Sequence, residues 1–64
     1  MSKLLALRTK LAKSLNSVCR EVWADHGLKV TAPTLKRWED GGRITLEAAR
    51  VLADYYGVKV EDVA

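Results

Sequence analysis

An all-α fold, a small bundle of four to five helices, is predicted by three features of the 64-residue sequence. Apolar residues recur three and four apart through long stretches. Ser or Thr opens successive helix-favouring runs and Gly closes them. No segment alternates apolar and polar residues for long enough to make a strand; Val58 to Val60 alternates, but a run so short, bounded by acids, reads as a connector. The chain makes one domain, residues 1 to 64, below the size at which a core is comfortably self-sufficient.

Leu4, Leu7, Leu11, Leu15, Val18 and Val22 form one apolar stripe, so residues 2 to 26 read as helical. With no Gly or Pro in the segment, one continuous helix would reach roughly 36 Å at 1.5 Å per residue. The alternative is a break near Ser14 to Ser17. It is favoured because Ser14, Asn16 and Ser17 gather three cap-forming residues in four positions, and so small a domain must fold its helices back to bury the stripe. A second helix then runs from about 16 to 26 and stops at Gly27, with Leu28 to Val30 as the turn.

The third helix occupies about 32 to 40. Thr31 supplies its N-cap, Pro33 sits in its first turn where a missing N–H is not needed, and Gly41 and Gly42 end it. Thr45 caps a fourth helix lined on one face by Leu46, Ala49, Leu52, Ala53 and Tyr56, and Gly57 terminates it. Val58, Val60 and Val63 form a clamp with a last short turn at about 60 to 64. The expected core includes Leu11, Leu15, Val22, Leu35, Trp38, Leu52 and Tyr56, with Cys19 as a small core residue; Trp23 reads either as core in an extended second helix, the favoured placement, or as an exposed contact.

Composition narrows the function. About half the residues are apolar, but no run is long enough to span a membrane and no leader-like segment opens the chain, which predicts a soluble, cytoplasmic protein. One cysteine and one histidine, Cys19 and His26, cannot build a disulfide framework or a zinc site of the usual ligands, and no cofactor, metal or small-molecule ligand is expected. His26 has no companion nucleophile and the acids are scattered, so no catalytic constellation forms. The net charge of +3 is uneven. Residues 1 to 38 hold eight Lys and Arg against Glu21 and Asp25, giving +6, and the remainder holds three against six acids, giving −3. The basic part attracts polyanions.

That basic part takes in all but the last residue of the stretch 30 to 39, Val-Thr-Ala-Pro-Thr-Leu-Lys-Arg-Trp-Glu. Leu35 and Trp38 fall on one edge of the third helix, while Ala32, Lys36 and Arg37 project from the other. A short helix with an apolar inner edge and a basic, small-residue outer edge suits a DNA major groove, and the second and third helices together read as a helix-turn-helix.

The sequence resembles the lambda-repressor-like, Cro/cI or XRE-type family of helix-turn-helix DNA-binding domains in three stretches. Val30-Thr31 through Trp38-Glu39-Asp40-Gly41 is similar to the family's turn and recognition helix. Leu46-Glu47 through Tyr55-Tyr56-Gly57-Val58, with Val60-Glu61-Asp62-Val63 after it, is similar to its fourth and fifth helices. Leu15-Asn16-Ser17 is similar to its junction of helices 1 and 2. Between Asn16 and Thr31 the chain carries about four residues more than the family usually does, close to one turn at 3.6 residues per turn. The stretch at 30 to 39 also resembles the first helices of MerR-like and excisionase winged-helix proteins, which continue into a β wing where this sequence continues into a helix.

The resemblance implies a small DNA-binding transcription repressor. Helix 3 would lie in the major groove, with Arg37 reading guanine through its planar fork, Ala32 and Pro33 packing on a thymine methyl, and Lys36 meeting base or phosphate. Phosphate contacts would come from Asn16 and Ser17 at the start of helix 2, from Thr31, and from Arg43 with the amides of Gly41 and Gly42. Glu39 would anchor a helix 1 base, Lys10 or Arg8. A homodimer on a pseudo-palindromic operator is the expected partner arrangement, with Tyr55, Val60 and Val63 as a candidate dimer patch. The competing class is an antitoxin-like or architectural, excisionase-like protein using the same fold for protein contacts. Steep weakening of binding by salt would favour DNA over an apolar interface.

Overall fold

A computed structural model of the chain describes residues 3 to 63. It is all-helical: α1 spans Lys3–Lys10, α2 Leu15–His26, α3 Ala32–Glu39 and α4 Leu46–Tyr56, and a 3-10 turn follows at Val60–Asp62, with no strand among the described residues. Ser2 and Ala64, expected at the two ends of the helical pattern, lie outside the described residues.

The stripe from Leu4 to Val22 belongs to two helices, but the break lies earlier than Ser14 to Ser17. α1 ends at Lys10, Ala12 takes a left-handed φ of 54°, and Ser14 is the N-cap of α2. Sequence pattern gave no warning, because alanine rarely adopts that conformation. Side chains hold it there. Arg8 Nη1 donates to the Lys13 carbonyl at 3.0 Å, and Lys13 Nζ reaches both Glu21 oxygens on α2, at 2.8 and 2.9 Å. The molecule's longest extent is 27 Å, too short for an unbroken helix over this segment. Leu11 therefore leaves the stripe and stands 47% exposed instead of buried.

The other boundaries follow their caps. Ser14, Thr31 and Thr45 each accept a hydrogen bond from the backbone N–H three residues on, at 3.1, 3.4 and 3.2 Å. Gly27, at φ 69°, closes α2 with its own N–H donating to the Trp23 carbonyl and the Leu28 N–H to the Val22 carbonyl. α3 ends at Glu39, a residue before its expected end, with Asp40 as its C-cap.

Packing places α2 against both α3 and α4, α1 against α3, and the 3-10 turn against α4. Leu4, Val18, Val22, Leu35, Leu52 and Val63 fill the centre with Ala49 and Ala53, whose small side chains let α4 come close. Val22, Leu35 and Leu52 are buried as expected. Leu15, Cys19, Trp38 and Tyr56 are half-buried at the edge of this cluster. Trp23 takes the less favoured of its two expected placements: it is 57% exposed, because Val18 and Val22 take the inward positions of α2.

Candidate nucleic-acid interface

α3 is built around its N-cap. Thr31 holds extended backbone at φ −97° and ψ 158°, accepts from the Thr34 N–H, and its hydroxyl donates to the Thr34 hydroxyl oxygen at 3.0 Å. The inward side carries Leu35, Glu39 and half-buried Trp38. The outward side exposes Pro33, Lys36, Arg37 and Asp40, with Ala32 half-buried beside them. The Ala32, Pro33, Lys36 and Arg37 set thus reaches the surface.

The inward edge is locked by charge. Glu39 is only 3% exposed and takes two hydrogen bonds from Arg8, Nε to Oε2 at 2.7 Å and Nη2 to Oε1 at 3.0 Å. Of the two bases considered for it, Arg8 is the partner. The hydrogen bond to Glu39 holds the guanidinium above its ordinary range against the opposing effect of burial. Beside this pair the Tyr56 hydroxyl is buried with no partner among the described residues, and burial, with the Glu39 charge, pushes it up to about 12.

Two acids, Glu21 facing α4 and Asp40 at the end of α3, are also partly neutralised by their partners. Glu21 lies below the ordinary carboxyl range, first through its hydrogen bond from Lys13 and then through that from the Tyr55 hydroxyl at 2.9 Å. Lys36 Nζ lies 3.7 Å from Asp40 Oδ2. Arg20, Lys29, Arg37 and Arg43 form no ion pair among the described residues, which leaves their charge open to an external anion.

The expected phosphate donors divide. Arg43 and Asn16 are exposed and their side chains are uncommitted among the described residues. Ser17 gives its N–H to the Ser14 side chain and accepts from the Ser14 hydroxyl at 3.0 Å, keeping only its own hydroxyl hydrogen to donate. Thr31 is committed to Thr34. The Gly41 N–H donates to the Trp38 carbonyl at 3.2 Å and the Gly42 N–H to the Arg37 carbonyl at 2.8 Å, so in this conformation neither amide is available to a phosphate. These two amides finish α3 instead, because its last carbonyls need donors.

Two residues at this surface were not singled out from the sequence. Thr34 keeps a free hydroxyl hydrogen in the first turn of α3, and Asp40 places an acid at its far end. The Thr-x-x-Thr and Lys-x-x-x-Asp spacings were the available signals. The proposed dimer patch fares differently: Tyr55 bonds Glu21 within the chain, Val63 is in the core and Val60 is half-buried, so these residues are occupied internally.

No helix among the described residues is long and apolar enough to cross a membrane, and no cluster of His, Cys, Asp or Glu among them could hold a metal ion. No family model, curated protein or solved structure matches the chain.

Proposed function

We propose that the protein binds double-stranded DNA sequence-specifically through α3 in the major groove and acts as a small Cro-like transcription repressor. The observation that carries this reading is α3 itself. Its inner edge is fixed by a partly buried bidentate ion pair, while its outer edge offers exposed Pro33, Lys36 and Arg37. A rigid helix with an outward Arg is what bidentate guanine recognition requires. Arg43 and Asn16 supply phosphate contacts on either side, and Ala32 with Pro33 an apolar surface for a thymine methyl. One eight-residue helix spans few base pairs, so two copies on a pseudo-palindromic operator are the working form.

Exposed Trp23 favours the second reading, a protein-contact module of antitoxin-like or architectural type, since an aromatic at the surface is a common interface anchor. Selection of duplexes from a random pool, with the mass of the complex measured alongside, separates the two. DNA binding requires an enriched motif and steep weakening with salt; a flat salt response and no motif would move the protein-contact reading ahead. Arg43→Ala should then weaken selected and random duplexes alike and reduce the salt slope by about one unit.

A further inference from the structure

The loop after α3 contains two glycines with different work. Gly41, at φ 98°, makes the left-handed turn that ends the helix. Gly42 has no positive φ, so the turn does not explain it. Its amide bonds the Arg37 carbonyl, and its Cα lies directly against Arg37. A Cβ built on Gly42 would stand 2.7 Å from Arg37 Cγ, 2.7 Å from the Arg37 carbonyl oxygen and 3.2 Å from its carbonyl carbon. Real Cβ contacts are not that short, so any side chain at 42 must displace the Arg37 stem or the loop.

We propose that Gly42 is a positioning residue for Arg37: the bare loop backbone seats the side-chain stem and presets the direction in which the guanidinium leaves α3. The proposal rests on the DNA-binding reading and adds how its specificity is set. An exposed arginine samples many rotamers, and ordering them on binding weakens the complex. With the first side-chain torsion already held by the loop, less freedom is lost when the fork meets a base, and fewer wrong bases can be accommodated. The guanidinium remains free to act because it forms no ion pair among the described residues.

The test is a cycle of Gly42→Ala, Arg37→Ala and the double variant in the full chain, each bound to the selected duplex and to a random duplex of equal length. Gly42→Ala should cost about tenfold on the selected duplex and less than about twofold on the random one, and add less than about twofold once Arg37 is Ala. The clash with the Arg37 carbonyl is common to both backgrounds, so the cycle cancels it. Equal losses in both backgrounds would overturn the proposal while leaving DNA binding in place. Should Gly42→Ala fail to fold, NMR on the unaltered protein decides: contacts between Arg37 Hγ and Gly42 Hα with a single Arg37 χ1 rotamer support positioning, and rotamer-averaged couplings refute it. If the unaltered protein selects no duplex at all, the functional reading fails and this proposal goes with it.

Discussion

Replacing Arg8 with Met removes the guanidinium from the centre of the α1–α3 contact while keeping an apolar stem. Glu39, 3% exposed, then loses both hydrogen bonds and its only ion-pair partner among the described residues, and the Lys13 carbonyl loses its donor. Stranding one member of a buried pair costs about 3–5 kcal/mol, and because the Arg8 side chain is 18% exposed the lower end, about 3 kcal/mol, applies. A domain of this size is stable by only about 3–10 kcal/mol, so the change consumes a large share of the total and should lower Tm by roughly 12–24 °C. Urea and thermal melts followed by far-ultraviolet circular dichroism measure it. The companion variant, Arg8→Met with Glu39→Leu, leaves no charge uncompensated and should return to within about 1 kcal/mol of the parent. If the double variant were as unstable as Arg8→Met, the loss would lie in packing, and the ion pair would not be what holds α3.

Tyr56→Phe should be neutral or stabilising by up to about 1 kcal/mol, since it deletes a buried hydroxyl with no partner; a loss beyond 1 kcal/mol in urea melts would mean that the hydroxyl is bonded. Burial raises this phenol to about 12 in the fold against about 10 unfolded, so its share of stability is complete below the unfolded value and disappears as pH rises through the folded one. Alkaline melts should therefore show a shallower decline in Tyr56→Phe, and an unchanged slope would contradict the shift. Ala12→Gly relieves a left-handed L-residue and should stabilise by about 0.5–1 kcal/mol despite the added freedom of the unfolded chain; a decrease in Tm would show that the turn is not strained. Asp40→Asn frees Lys36 and deletes an acid from the outer edge of α3, so affinity for random duplex should rise and its salt dependence steepen, and titrations at several salt concentrations that show neither would place Asp40 away from DNA.

Residues whose role is set by neighbours in sequence were readable in advance. Thr31 and Thr45 as caps, and Gly27 and Gly57 as stops, act within one turn of chain and bound α2 to α4, while Ser14 was one of three cap formers left open at the start of α2. The Glu39 anchor to a helix 1 base was also among the expectations, with Lys10 and Arg8 both open, and Arg8 is the partner. What remained hidden depends on distant contacts. The α1–α2 break sits on an alanine because Arg8 and Lys13 fix the loop, and this rotates Leu11 out of a spacing that looked continuous. Trp23 had a suitable hydrophobic character for the core, but Val18 and Val22 already fill the space facing α3 and α4. The amides of Gly41 and Gly42 looked free only because their acceptors, carbonyls of the preceding helix, could not be assigned from spacing.

The tie between Arg8 and Glu39 crosses 31 residues of chain, and it joins the first helix to the one that faces outward. An eight-residue helix has little tendency to persist in water by itself, since nucleation outweighs the few bonds it gains. The shape of α3 thus depends on its packing against α2 and on this tie to α1. A fragment beginning at Ser14 would retain every residue proposed for base or phosphate and lose the contact that anchors Glu39. The α2–α3 pair is therefore not a self-sufficient unit: the opening residues, remote from any proposed DNA contact, help to hold α3 in place.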